Sequence, residues 1–185
     1  MRNKILELAL AVGVAALPMT AATISVVPSS ATAMVGDTIT ADINISDVLD
    51  LYAFQFDLSF DPGILEASPA TDGLFLGSGG FFEGFTDNAL GTMTFISDSL
   101  AGPVPGMSGA GTLASIQFTA IGPGASLITV ANLILLDSTL ADIAAVTNGS
   151  TVTVSAIPEP GTVSFVLLGL AALVAVSSRC QITKS

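Results

Sequence analysis

The chain has 185 residues, of which 51% are hydrophobic and 10% are charged, and its formal net charge is −11 at pH 7. It contains no histidine, and its four basic residues all lie near the ends, at Arg2, Lys4, Arg179 and Lys184. The cation-free middle of the chain would be repelled by phosphates, which argues against nucleic-acid binding. It also lacks most of the nucleophile and base pairs that enzymes use. The single cysteine, Cys180, cannot form an internal disulfide.

Residues 1–22 have the pattern of a secretory signal peptide. Two basic residues near the start precede a 13-residue apolar segment, Ile5 to Leu17, which is interrupted only by Glu7. Small residues follow, and we predict cleavage after Ala22. The short apolar segment and its acidic residue argue against an uncleaved N-terminal anchor.

From Thr23 the sequence alternates with period two, which predicts β-strands. Apolar and polar residues alternate over 38–46, and five large apolar residues alternate over 52–60. We predict a connection at residues 47–50 and a turn at residues 61–63. Further strands are predicted at residues 23–27, 64–67, 92–97, 113–120, 126–130, 133–136 and 150–155. Short strands, many turns and no amphipathic helix predict an all-β sandwich over residues 23–157.

Residues 68–91 are rich in glycine and contain Phe75, Phe81, Phe82 and Phe85. Such aromatic residues can form a flexible binding surface. More often they pack onto the core, and that is the interpretation we favour.

Paired carboxylates remain as the candidates for chemistry in the domain. A glycosidase needs two of them, and Asp57 and Asp61 lie near the end of one strand. Asp61 is explained more simply as the residue that starts a turn before Pro62. We therefore predict no catalytic residue and a protein that is not an enzyme.

Calcium binding is the one cofactor alternative, because calcium prefers clustered oxygen ligands. Asp42, Asp47 and Asp50 lie near one strand end, and Asp137 and Asp142 flank a loop, but none has the spacing of an EF-hand. Solvated acids that keep an exported protein soluble are the simpler interpretation. We assign no cofactor and no metal ligand.

The last 28 residues have three parts, which are Pro158-Glu159-Pro160, an uncharged apolar run over 161–178 and a basic tail from Arg179. The run would form about 27 Å of helix, close to the roughly 30 Å hydrocarbon core of a bilayer. We expect a single transmembrane helix over about residues 161–178. A plain C-terminal anchor and a sorting tail are both compatible with this pattern.

This arrangement resembles the PEP-CTERM sorting signal of Gram-negative bacteria. The resemblance implies that an exosortase, a membrane-embedded protease, recognises Pro158, Glu159 and Pro160, with Arg179 as the basic stop. It also implies export across the inner membrane, a membrane-anchored precursor, and delivery to the cell surface or extracellular matrix.

Three further stretches resemble a cohesin domain. They are the Gly36-Asp37 turn with residues 51–62 (LYAFQFDLSFDP), the strand at 111–118 (GTLASIQF) and the last strand at 148–154 (NGSTVTV). The resemblance covers about residues 24–155. It implies a jelly-roll sandwich of about nine strands that acts by binding, with no chemistry of its own. Cohesins of cellulosomes bind dockerins, so a dockerin-like protein is one possible partner.

We therefore expect a secreted or surface-exposed module for binding or adhesion, whose ligand is a protein or a polysaccharide. A carbohydrate-binding module of the matrix is one alternative, although Tyr52 is the only tyrosine and tryptophan is absent. A structural protein with a plain C-terminal anchor is the other.

Overall fold

A computed structural model describes residues 21–78 and 80–157 of the chain. Most of the predicted signal peptide lies outside these residues, as do the predicted transmembrane segment and the sorting residues Pro158, Glu159, Pro160 and Arg179. Within the described part, no helix is long and apolar enough to cross a membrane. Ala22, the predicted cleavage position, begins the first strand, where it is buried and its N–H donates to the Ala144 carbonyl at 3.0 Å.

The described residues form eleven strands. In chain order they are β1 (Ala22–Pro28), β2 (Thr32–Met34), β3 (Thr38–Ser59), β4 (Leu65–Ala67), β5 (Thr71–Asp72), β6 (Glu83–Asp87), β7 (Thr92–Ser99), β8 (Met107–Ala120), β9 (Gly124–Asp137), β10 (Ala145–Asn148) and β11 (Ser150–Ser155).

The long strand β3 belongs to both layers of a sandwich. Its first half pairs with β1 and β8, its second half pairs with β7 and β9, and all four pairings are antiparallel. The first sheet continues through β10 beyond β1, and β4 and β5 pair with β8. The second sheet runs β6-β7-β3-β9, and the first part of β9 continues it to β11 and β2. The predicted all-β sandwich is confirmed.

The predicted connection at residues 47–50 is wrong, because these residues lie inside β3. Asp47 and Asp50 each have a φ of 58°, and the register with β8 shifts around them. Aspartate tolerates this left-handed conformation better than most residues, and each shift acts as a β-bulge that bends the strand. The chain therefore crosses from one sheet to the other without leaving the strand. In the same way, the two strands predicted over 126–136 are one strand, β9.

The core lies between the two sheets, as the alternating pattern predicts. Phe60 packs edge-to-face on Phe118, with ring centroids 5.2 Å apart, and Phe54 stacks on Phe56. Tyr52 was expected among these residues, but it is only half buried, and its hydroxyl donates to the Gly102 carbonyl. Leu51 is fully buried instead, because a register shift against β9 falls between residues 51 and 53.

The predicted turn after β3 is confirmed. The Asp61 carboxylate accepts the Gly63 N–H at 2.8 Å, and the Asp61 carbonyl accepts the N–H groups of Ile64 and Leu65. Asp61 therefore has a structural role in the turn that leads to β4.

Candidate docking surface

The outer face of the β6-β7-β3-β9 sheet carries the most distinctive surface of the domain. The strand register places side chains in rows across it. One row is Ser99, Ala53 and Leu136, and the next is Glu83, Ser97, Gln55 and Ile134. Side chains on the other face of these strands, such as Phe56 and Ile96, point into the core.

Large apolar side chains are exposed on this side of the molecule. Phe81, Phe85 and Phe95 are 69%, 64% and 57% exposed, and Ile134 is 45% exposed. Phe85 on β6 pairs with Thr94, the residue before Phe95 on β7, and Phe81 lies two residues before β6. Contiguous exposed apolar patches mark interaction sites.

The phenylalanines of the glycine-rich segment divide into two groups. Phe75 and Phe82 pack against the core, as we predicted. The prediction is wrong for Phe81 and Phe85, which are exposed. Phe85 lies on the same side of the short strand β6 as Glu83 and Asp87. No residue of β6 is buried, so period-two reasoning could not assign Phe85 to the core or to the surface.

The sequence pattern does not predict that Phe95 is exposed, because a β-bulge reverses the side of the strand on which its side chain lies. Strict alternation from the buried Met93 would place Phe95 in the core. In the structure Phe95 has a φ of 55°, and the pairing of β7 with β3 shifts register there, so that Ile96 takes the inward position. The aromatic ring is therefore presented to solvent between the buried Met93 and Ile96.

A groove of about 290 Å³ runs across this face. Phe81, Ile134 and Leu136 provide much of its apolar wall, and Gln55 and Ser97 provide polar groups. Small-molecule sites usually have volumes of roughly 300–1,000 Å³ and are more enclosed. The groove is thus better matched to one or two side chains of a partner than to a free ligand.

Asp57 connects three strands of the face. One carboxylate oxygen accepts the Phe95 N–H on β7 at 3.0 Å, and the other accepts the side-chain amide of Asn132 on β9 at 2.7 Å. Asn132 also has a left-handed backbone, with a φ of 49°. Both oxygens are occupied by groups of the protein, so the geometry does not support Asp57 as an acid or base.

Asp98 lies beneath the loop that carries Phe81. It is 2% exposed, and its Oδ1 accepts the Ser99 N–H at 2.8 Å. A Cβ on Gly80 would fall within 3 Å of all three carboxyl atoms, so the loop backbone lies directly against them. Burial raises the pKa of Asp98 and nearby Asp72 adds to this, whereas the N–H groups of Ser99 and Phe81 oppose it. Among the described residues, Asp98 Oδ2 has no hydrogen-bond partner.

Asp50 and Asp137, two of the carboxylates considered for calcium, are held by the protein's own donors. Asp50 accepts the Ser138 hydroxyl and the Gly106 N–H, and these bonds lower its pKa. Asp137 accepts the hydroxyl and N–H of Thr139 and the N–H of Ala141, which lowers its pKa in the same way. In residues 21–78 and 80–157, no group of three or more metal-ligating side chains comes together.

The outer face of the opposite sheet is largely polar, with Val27 and Val146 as exposed apolar exceptions. Its side chains bond mainly to one another, for example the Ser115 hydroxyl to Asp42 and the Thr112 hydroxyl to Asn44. Other members of this face are Thr23, Ser25, Thr40, Gln117 and Thr119. The sandwich therefore has one largely polar face and one face with exposed aromatic residues.

A family model described as the cohesin domain matches residues 24–154. The chain belongs to the cohesin family. This confirms the resemblance found in the sequence, and it assigns the domain to a class of non-catalytic binding modules.

Solved cohesins share the fold at low identity. A type II cohesin domain from the cellulosome of Acetivibrio cellulolyticus is 20% identical with a TM-score of 0.64, over 72% of this chain and 95% of that one. A non-cellulosomal cohesin from the archaeon Archaeoglobus fulgidus is 18% identical with a TM-score of 0.61, over 74% and 92%. A type I cohesin–dockerin complex from Clostridium thermocellum matches at 18% and 0.61, over 75% and 97%. No curated protein matches the chain.

Proposed function

We propose that this cohesin domain docks a protein partner on the outer face of the β6-β7-β3-β9 sheet. The observation that carries the proposal is the exposure of Phe81, Phe85, Phe95 and Ile134 on one side of a sandwich whose opposite outer face is largely polar. Phe81 and Ile134 line the groove on this side. Buried aromatic anchors supply much of the energy of protein interfaces. The domain would act as a passive binding module, without chemistry.

The charge of the domain indicates what kind of partner would fit. Of the 15 acidic residues, all but Glu7 and Glu159 lie in the described range, which has no lysine, arginine or histidine. Glu83 pairs with Ser97, and Asp57 lies two residues after Gln55 on β3; Ser97 and Gln55 both line the groove. A partner with an apolar centre and basic residues at its rim would be steered towards this face.

A dockerin-like module is the partner class we favour. The solved complex from Clostridium thermocellum pairs a cohesin of this fold with a dockerin. That pairing supports the class of partner, and the apolar face described above supports the surface it would use.

We also propose that the protein is exported and sorted. The sequence pattern of residues 1–22 supports export across the inner membrane of a Gram-negative bacterium, and the pattern of residues 158–185 supports recognition by an exosortase and delivery to the surface or matrix. The test is the intact mass of the protein recovered from the producing cell. Mature protein that still carries residues 161–178 would refute processing and would favour a plain anchor.

The docking proposal is tested by capture on the immobilised full chain, kept in a non-ionic detergent. The bait is challenged with dockerin modules encoded in the same genome and with a glycan array. We expect a dockerin-like module to bind, and Phe95→Ser or Ile134→Ser to weaken that binding at least tenfold, since an interface anchor typically contributes about 2 kcal/mol or more.

Leu127→Ser is the matched control. Leu127 is also an exposed aliphatic residue on β9, 56% exposed, but it lies on the part of the strand that pairs with β11. Its replacement should leave binding unchanged. Equal effects of Leu127→Ser and Ile134→Ser would contradict the proposed face. Glycan binding that Phe95→Ser abolishes would replace the protein partner with a polysaccharide.

A further inference from the structure

Two neighbouring strands of the docking face are bulged opposite the same residue. On β7 the register with β3 shifts between Phe56 and Leu58, and on β9 it shifts between Gln55 and Asp57. Asp57 lies in both shifted regions. Its two carboxylate oxygens each accept one hydrogen bond from a bulged strand, from Phe95 and from Asn132.

Both bulges hold a residue in the left-handed region, and one of these residues is unsuited to it. Asparagine adopts positive φ comparatively readily, but a bulky aromatic residue such as Phe95 does so rarely. Such a conformation persists only where the surroundings enforce it. The N–H of Phe95 is the group that the bulge removes from the β3–β7 ladder, and Asp57 supplies its acceptor.

We propose that Asp57 is the positioning residue of the docking face. By accepting one hydrogen bond from each flanking strand, it keeps both bulges in place and so turns the Phe95 side chain out of the core and onto the outer face of the sheet. Asp57 acts through Phe95 and does not itself need to touch the partner. This inference rests on the proposed function, which makes the exposed Phe95 ring an anchor.

The position of Asp57 supports this role over that of an ordinary surface acid. Asp57 lies between the buried Phe56 and Leu58 on a strand that is paired on both sides, where β-branched or hydroxyl residues are the usual outward choice. A carboxylate has two acceptor oxygens on one short stem, so it can bridge two strands, which a threonine or serine hydroxyl at this position could not do on both sides.

The experiment compares Asp57→Ala and Asp57→Asn in the full chain, kept in a non-ionic detergent. Amide hydrogen exchange measured by NMR reports on the Phe95 N–H directly and needs no partner. We expect Asp57→Ala to accelerate Phe95 exchange at least tenfold while core amides such as that of Phe118 stay protected. The asparagine side chain keeps one acceptor oxygen for the Phe95 N–H. Asn132 can rotate its side-chain amide so that its oxygen accepts from the amide nitrogen of the new asparagine. Asp57→Asn should therefore retain most of the protection.

Partner binding forms the second readout. Asp57→Ala should weaken binding of the captured dockerin-like module about tenfold, and Asp57→Asn should bind within about threefold of the wild type. Asp42→Ala is the control, because Asp42 is on the same strand, accepts the Ser115 hydroxyl and lies on the opposite face. It should change neither Phe95 exchange nor binding.

Two results would overturn the inference. Unchanged exchange at Phe95 in Asp57→Ala would show that the bulge does not need the carboxylate. Loss of binding in Asp57→Asn with Phe95 still protected would show that the charge contacts the partner directly. A Phe95→Ser variant that binds normally would instead refute the docking face, whatever the exchange experiment shows.

Discussion

Gly91 is the position at which a single added carbon should damage the domain most clearly. It precedes β7, has a φ of +67°, and its carbonyl accepts the Phe60 N–H at 2.9 Å. A Cβ at this position would lie 2.3 Å from the Phe60 carbonyl oxygen and 2.6 Å from Pro62 Cδ. Both neighbours belong to rigid backbone or to a proline ring, so Gly91→Ala would separate the β6–β7 hairpin from the end of β3.

The expected loss has two parts. Placing alanine in the left-handed region costs roughly 1–2 kcal/mol. Moving the turn away from Phe60 loses a backbone hydrogen bond worth about 1 kcal/mol, together with packing around it. We therefore expect Gly91→Ala to lower the free energy of unfolding by about 3 kcal/mol and Tm by roughly 10 °C.

The control separates backbone strain from steric conflict. Gly36 has a φ of +95°, but a Cβ there would meet no heavy atom within 4 Å. Gly36→Ala should therefore cost only the conformational part, about 1–2 kcal/mol. Urea unfolding followed by circular dichroism measures both variants. Equal losses would show that the close approach to Phe60 is relieved without cost, and the argument from geometry would be refuted.

The remaining predictions concern the core and the carboxylates. Phe118→Ala removes the partner of Phe60 in the core and should cost about 3–5 kcal/mol in urea unfolding. Because burial raises the pKa of Asp98, the stability of the wild type should fall as pH rises from the ordinary value of 3.8 through the higher folded pKa. Asp98→Asn should remove that fall, and parallel pH profiles for the two proteins would contradict it. The hydrogen bond from Ser138 lowers the pKa of Asp50. The stability that this hydrogen bond adds is therefore present above pH 3.8 and is lost as pH falls through the lower folded pKa. Ser138→Ala should therefore shift acid unfolding to higher pH, and an unchanged midpoint in an acid titration would count against this role.

Much of the sandwich could be predicted from periodicity alone. The alternation over residues 38–46 and 54–60 identified the two halves of β3 and their buried faces. The turn at Asp61 was predictable because its chemistry is local, with a carboxylate accepting the N–H two residues later. Pattern and turn chemistry act within a few residues, so a single sequence contains them in full.

The continuity of β3 could not be predicted in the same way. Residues 47–50 contain two aspartates, a composition typical of a loop. In the structure, Asp50 stays in the strand because its carboxylate and N–H bond to Gly106, Ser138 and Ser108, which are distant in sequence. Bonds across more than 50 residues have no local pattern. The short strands β2, β5 and β10 were missed for a related reason, since each is defined by its partner strand.

The docking face was the hardest part to predict, and the reason connects its structure to its proposed role. Periodicity places Phe95 with Met93 in the core, and only the bulge reverses it. A sequence that specified nothing but stability would put a small or polar residue at an exposed, left-handed position. Retaining phenylalanine there costs conformational strain and leaves apolar surface in water, so neither stability nor solubility accounts for it. A partner that buries the ring accounts for both costs, which is why the failure of the pattern at Phe95 is itself an argument for binding at this face.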